Sequence, residues 1–216
     1  MITEDVDATR SAYDDVAELY TDLVRGHLET RPLDRAMLGA FAELVRADGS
    51  GPVADLGCGP GRIGAHLASL GVSTFGMDLS PRMIELARKE YPGLRFEVGS
   101  IEELDIEDGA LAGLVAWYSI IHLPPERVPH VLREFHRVLR TGGHALLAFQ
   151  TADAADTALA FDHRVTRAYC WSPDRLAELS REAGFTVVAR MVCARQADER
   201  FDQGCLMVAK VADPVR

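Results

Sequence analysis

The 216 residues predict a single α/β domain. The expected fold is a doubly wound, mostly parallel sheet of seven strands with one antiparallel strand, preceded by N-terminal helices. Three observations carry that expectation. From residue 52 onward, short apolar runs alternate with amphipathic ones, the strand–helix repeat of a parallel sheet covered on both faces. The last two strand-like runs, "FTVVARMVC" and "GCLMVAKV", have no helix between them. The stretch that separates them, around "RQADERFDQ", permits a hairpin, so one of the two runs antiparallel. Finally, "VADLGCGPGRIG" places a glycine-rich turn between the first strand and the helix after it.

The N-terminal third reads as helical. In "DATRSAYDDVAELYTDLVRGHL", Tyr13, Val16, Ala17, Tyr20, Leu23 and Val24 recur at helix spacing. A second helix, "RPLDRAMLGAFAELVRADG", begins with the first-turn residue Pro32 and ends near Gly49. "PVADLG" is the first strand, and "RIGAHLASLG" is a helix closing on Gly71. Strand "STFGMD", helix "SPRMIELARKEY" and strand "LRFEVG" follow. "LAGLVAWYS" is apolar on both sides, as a central parallel strand should be. "PERVPHVLREFHRVLR" is a helix closing on Gly142 and Gly143, and "HALLAFQ" is a strand. "SPDRLAELSREAG" is a helix begun by Ser172 or the Ser-Pro pair and ended by Gly184. These elements divide the domain into a helical cap (1–50), a core (51–150), a segment 151–171, and a final helix with two strands (172–211). The segment 151–171 fits neither period. Inserted after a strand end, it is expected to hang over the site as a partial lid.

Hydrophobic residues make up 48% of the chain, enough to bury a core. The net charge of −10, from 23 basic against 33 acidic residues, makes nucleic acid and anionic membrane poor partners. "MITEDVDATR" does not read as a secretory signal. The longest near-apolar run, Ala110 to Ile121, is well short of the roughly 18 residues needed to span a bilayer. Cys58, Cys170, Cys193 and Cys205 include no CxxC pair, which reads as four reduced thiols in a cytoplasmic protein.

Gly57, Gly59 and Gly61 alternate at the end of the first strand. Glycine admits positive φ and lets backbone approach a ligand without a Cβ in the way. The dinucleotide fingerprint GxGxxG would need its third glycine at residue 62, which is Arg62. Asp55, just before the glycines, would repel a pyrophosphate but suits a ligand with a positive amine. Asp78 ends the second strand, 21 residues after Gly57 (78 − 57), the place of an acid that accepts from ribose hydroxyls. The pocket therefore wants a ribose beside a cationic group, and S-adenosylmethionine is such a molecule. In a Rossmann-like sheet of this kind, ligands lie beyond the carboxyl ends of the strands, near Gly57, Asp78, Gly99 and Tyr118.

The sequence resembles the class I S-adenosylmethionine-dependent methyltransferases, in the small-molecule group (type 11, UbiE-like). "VADLGCGPGRIGAHLA" and "TFGMDLSPRMIELAR" resemble the first two motifs of that family, and "LRFEVGSIEELD" its third-strand segment. "DGALAGLVAWYSIIHLPP", "REFHRVLRTGGHALLAF" and "WSPDRLAELSREAGF" resemble the later ones, so the likeness runs from about residue 10 to 211. The resemblance implies that Gly57, Gly59 and Gly61 line the methionine and ribose portion, with Asp55 near the amino group. Asp78 would bind the ribose hydroxyls, Leu79 would pack on the adenine, and Ser100 and Ile101 would sit at its edge. Tyr118 would approach the methionine side. Tyr13 and Tyr20 resemble the aromatic pair of a lid helix and, seven apart, face the same way.

Methyl transfer mainly needs alignment and exclusion of water, and no triad or metal motif is visible. His122, in "SIIHLPP", stands on the rim of the sheet as a candidate base or substrate-orienting group. His163, Arg164, Tyr169 and Trp171 in the suspected lid, with Arg195 and Gln196, are candidates for shaping the acceptor pocket. His66, His130 and His136 read as structural. "WYSI" replaces the Asn-Pro-Pro-Tyr-like segment of enzymes that methylate nucleic-acid bases, which favours a small-molecule acceptor. The expected assembly is a monomer or homodimer. Two rival readings are a non-catalytic S-adenosylmethionine-binding module and a nicotinamide-dependent oxidoreductase. The second lacks the GxGxxG spacing and a lysine near Tyr118 in sequence.

Overall fold

The computed structural model describes residues 2–47, 49, 51–151, 158–197 and 199–211. Helix α1 (Ile2–Val24) buries Ala17 and Val24. Leu23, expected on its apolar stripe, is instead 58% exposed, one residue away from the buried Val24. A short 3-10 turn (His27–Thr30) leads to α2 (Pro32–Ala47), which buries Leu38, Phe41, Ala42 and Val45. That i, i+3, i+4, i+7 spacing is the apolar stripe of a helix lying on a sheet.

Alternation then follows the sequence: β1 (Val53–Leu56), α3 (Arg62–Ser69), β2 (Thr74–Asp78), α4 (Pro81–Glu90), β3 (Arg95–Val98) and β4 (Leu111–Trp117). All seven residues of β4 are buried, as a central strand requires. After two 3-10 turns come α5 (Val128–Val138) and β5 (Leu139–Thr151). The predicted helix runs on toward Gly142, but the chain leaves helical geometry at Leu139, which pairs with Leu111 of β4. Expected to be irregular, residues 158–171 form an antiparallel ribbon of β6 (Leu159–Asp162) and β7 (Arg167–Cys170). Residues 152–157 of the suspected lid lie outside the described residues. Helix α6 (Pro173–Glu182) starts on Ser172, whose side chain accepts from Arg175 N, and precedes β8 (Phe185–Cys193) and β9 (Asp202–Lys210).

The sheet has seven strands in the order β3-β2-β1-β4-β5-β9-β8. Neighbours from β3 to β5 are parallel, and β9 runs antiparallel to both β5 and β8. The mostly parallel sheet with one antiparallel strand is therefore the observed one. One face packs residues such as Ala54, Leu56 and Leu114 under α5 and α6. The other packs Val53, Val115 and Leu146 under α2 and α3. The strand order reverses between β1 and β4, which opens a crevice at their carboxyl ends. No helix among the described residues is long and apolar enough to cross a membrane.

Candidate active site

The crevice is built first by the turn after β1. Gly57 (φ 75°) and Gly59 (φ 52°) take left-handed backbone geometry, and the N–H groups of Gly57 and Cys58 donate to Met77 O at 2.8 and 3.0 Å. A side chain at Gly57 would collide with Ser119, since an added Cβ would lie 2.3 Å from the Ser119 Cβ. Glycine is required there by sterics as well as by φ.

Asp78, at the end of β2, fastens this turn. Its Oδ2 accepts from Gly59 N at 2.7 Å and its Oδ1 from Ser80 N at 2.9 Å. Burial raises the Asp78 pKa above the ordinary carboxyl range, and those two N–H groups work against the shift. Leu79 and Ile101 add apolar wall, and Ser100, two residues past the end of β3, lines the same cavity. The Ser100 hydroxyl also accepts from Glu102 N at 3.2 Å.

The chain leaves β4 through Tyr118, the one non-glycine residue with positive φ (59°) among the described residues. Such a conformation costs about 1–3 kcal/mol and persists only where neighbours enforce it. Here Tyr118 N donates to Ala148 O at 3.0 Å and its hydroxyl to Gln203 Oε1 at 2.7 Å. The kink delivers Ser119 onto Gly57. The Ser119 hydroxyl is buried and has no hydrogen-bond partner among the described residues.

His122 follows one turn later. Its Nδ1 lies 3.1 Å from Arg167 O on β7. A carbonyl only accepts, so Nδ1 carries the proton and Nε2 presents a lone pair. That lone pair accepts from the Tyr13 hydroxyl at 2.7 Å. Burial lowers the His122 pKa to about 4, so the imidazole is neutral at pH 7. Tyr13 and Tyr20, on α1, meet edge to face with ring centroids 5.7 Å apart. Burial raises both phenols.

Ten of the twelve predicted site residues line one cavity: Tyr13, Tyr20, Gly57, Gly59, Asp78, Leu79, Ser100, Ile101, Tyr118 and His122. Asp55 and Gly61 do not. Asp55 points under the turn, where its Oδ2 accepts from Gly64 N at 2.8 Å in the first turn of α3. Gly61 (φ 85°) starts α3, and an added Cβ would strike Phe96 at 2.7 Å, on the side away from the cavity.

Sequence reasoning missed Ser119, Trp117, Thr9, Arg10 and the Arg127–Glu102 pair, all in the wall. For Ser119 a signal existed, its place directly after the fourth strand. For Arg127 and Glu102 none did, because the pair joins two loops 25 residues apart. The suspected lid residues His163, Arg164, Tyr169 and Trp171 are absent from the cavity wall. His163 meets His122 edge to face with centroids 5.2 Å apart, and Trp171 is buried in the core. Arg195 and Gln196 are held by backbone N–H bonds to Asp202 and Glu199 in the loop between β8 and β9. His130 bonds Glu102 O at 2.8 Å and His136 packs on Phe185, both structural.

Residues 53–143 match the family described as methyltransferase domain. Demethylmenaquinone methyltransferase of Chlorobaculum parvum is 30% identical over 150 residues, 67% of this chain and 61% of that one. That matched region is a methyltransferase domain, and the sheet around it has the fold of the S-adenosylmethionine-dependent methyltransferases. The match spans about three-fifths of that methyltransferase's length. Among solved structures, an S-adenosylmethionine-dependent methyltransferase of Methanosarcina mazei superposes with a TM-score of 0.66 at 19% identity, covering 76% of this chain and 94% of that one. The 1,6-didemethyltoxoflavin-N1-methyltransferase of Burkholderia thailandensis, solved with 1,6-didemethyltoxoflavin and S-adenosylhomocysteine, gives 0.66 at 23% identity over 90% of this chain and 88% of that one. At these identities the two structures are likenesses of methyltransferase fold.

Proposed function

We propose that this methyltransferase moves the methyl group of S-adenosylmethionine to a small-molecule acceptor. The observation that carries the reading is one cavity wall with a half-used carboxylate, bare glycine backbone and an orphaned hydroxyl. Asp78 spends two of its roughly four acceptor positions on Gly59 and Ser80, which leaves the others for ribose hydroxyls. The buried Ser119 hydroxyl needs a partner, and a polar ligand in the cavity supplies one. Leu79 and Ile101 offer an apolar slot for the adenine, and Tyr13 and Tyr20 bring α1 into the same wall. In this reading Asp55 and Gly61 support the turn and do not touch the cofactor. A small acceptor agrees with the net charge of −10 and with the quinone-type and toxoflavin-type names of the relatives.

When bound, S-adenosylmethionine supplies an electrophilic methyl group on a sulfonium whose charge disappears as the methyl leaves. The protein's part is to align the nucleophile and exclude water, and alignment alone supplies about 7–11 kcal/mol. His122 serves that alignment. Its Nδ1–H is tied to Arg167 O, so its Nε2 lone pair is fixed toward the cavity. An acceptor O–H or N–H that displaces the Tyr13 hydroxyl finds the same lone pair. With a pKa near 4, His122 orients that proton and is a weak store for it. The ribbon of β6 and β7 holds His122 from behind, which is the role we assign to the described part of 151–171.

The test is calorimetric titration of S-adenosylmethionine, S-adenosylhomocysteine and NAD into the protein and into Asp78→Ala. Both adenosyl ligands are expected to bind, and the variant to lose about 1.5–3 kcal/mol with its charged acceptor. Binding of NAD alone would replace this reading with the oxidoreductase one. Tight adenosyl binding with no methyl transfer across an acceptor screen would leave a cofactor-binding module.

A further inference from the structure

Helix α1 carries Tyr13 and Tyr20 into the cavity, yet the residue between Tyr13 and the next turn faces elsewhere. Asp14 Oδ1 accepts from the Ser80 hydroxyl at 2.6 Å and from Arg82 N at 3.2 Å. Both donors belong to the start of α4. One turn along α1, Glu18 pairs with the Arg82 guanidinium. Residues four apart share a helix face, so Asp14 and Glu18 form one polar seam against α4.

Ser80 is the hub of this seam. It is wholly buried, and its hydroxyl oxygen caps α4 by accepting from Met83 N at 3.0 Å while its proton goes to Asp14. Its backbone N–H goes to Asp78 Oδ1 at 2.9 Å. The first turn of α4 has no acidic residue of its own. A helix N-terminus favours a nearby anion, and Asp14 supplies it from a different element. The charge of Asp14 also reaches Asp78, where it adds to burial in raising the carboxyl pKa.

We infer that Asp14 is a positioning residue, a latch that holds α1 over the cavity by way of Ser80, the same residue that orients Asp78. The inference rests on the proposed cofactor reading, since the latch matters to function because the cofactor lies beneath α1. In this latch, release of the bound cofactor follows the lifting of α1, which breaks the two bonds to Asp14. Asp14 itself is absent from the cavity wall, so its removal changes residence time without removing a ligand contact.

Two measurements test the latch. In the unliganded protein, amide hydrogen exchange is followed over residues 6–24 in wild type, Asp14→Ala and Asp14→Asn. Asp14→Ala is expected to exchange tenfold or more faster across α1, while β1, β4 and β5 keep their protection and report an intact fold. S-adenosylhomocysteine is then released in stopped flow. It should leave Asp14→Ala ten- to a hundredfold faster than wild type, and Asp14→Asn should recover part of the difference, because its amide oxygen still accepts from Ser80 and Arg82. Glu18→Ala, which breaks only an exposed pair, should stay within threefold of wild type. Unchanged α1 exchange in Asp14→Ala overturns the latch. So does faster exchange with unchanged release, since α1 would then not cover the ligand. A wild-type protein that binds no S-adenosylhomocysteine defeats the cofactor reading, and the exchange comparison alone then decides whether Asp14 holds the helix.

Discussion

Asp55 is wholly buried, and its Oδ1 meets no donor among the described residues. Its other oxygen holds Gly64 N. Burial outweighs that bond and pushes the carboxyl pKa up to about 7, from an ordinary value near 3.9. The folded protein therefore keeps a proton between pH 4 and 7 that the unfolded chain has released, and stability falls as pH rises through that window. Above pH 7 the full cost is present, up to roughly 4 kcal/mol. Asp55→Asn keeps an acceptor for Gly64 and carries no charge. It should stabilise the unliganded protein by about 1–4 kcal/mol at pH 8, with the gain shrinking toward pH 4, as read by urea unfolding at each pH. A variant less stable than wild type at pH 8 would mean that the carboxylate is paired. The acid was legible in the sequence, but its direction was misread. Strand alternation puts Asp55 on the face of Val53, the face that α3 covers, and the period of two was the signal to weigh. Nothing in the sequence announced the strained Tyr118, because its φ is enforced by Ala148 and Gln203, 30 and 85 residues away (148 − 118 and 203 − 118).

Elements meet more tightly than their patterns reveal. Helix α2 crosses β4 at Gly113, where an added Cβ would lie 2.8 Å from Phe41 Cζ and 2.9 Å from Val45 Cγ2. Both side chains are buried, so making room means shifting the packed core. Gly113→Ala should cost about 1–3 kcal/mol through overpacking, seen as a lower urea midpoint at unchanged slope. An unchanged midpoint would show that α2 slides outward at no cost. The start of α2 at Pro32, its end before Gly49 and the all-apolar β4 were legible, because each has a local cause. The end of α5 was not. Its last carbonyls, His136 O and Leu139 O, accept from Lys210 Nζ at 2.8 Å each, so the cap comes from the far end of the chain. The ribbon of β6 and β7 was missed for another reason: each strand is four residues long, too short to establish a period.

At the scale of the whole molecule, the order β3-β2-β1-β4 brings Gly57, Asp78, Ser100 and Tyr118 to one rim, although 61 residues separate the first from the last (118 − 57). That convergence was legible, since strand–helix alternation and the switch-point rule place any such ligand without knowledge of a side chain. The depth of α1 in the cavity was not, because it depends on the seam between α1 and α4. A cavity walled by α1 and by the ends of β1, β2, β3 and β4 exists only when that helix and those four strands are assembled. Ligand that binds there is lost on unfolding and so stabilises the whole domain by RT ln(1 + [L]/Kd). At a free S-adenosylhomocysteine concentration one hundred times Kd, that is about 2.7 kcal/mol. For a chain of this length each kcal/mol moves Tm by roughly 2–4 °C, so the melting temperature should rise by about 5–11 °C. Scanning calorimetry at ligand concentrations from one to one hundred times the calorimetric Kd checks it. A rise that follows the logarithm of concentration in a single transition means that the domain melts as one unit around the filled cavity. A rise below about 2 °C at one hundred times Kd, or a split transition, would mean that the ligand-binding part survives the melting of the rest.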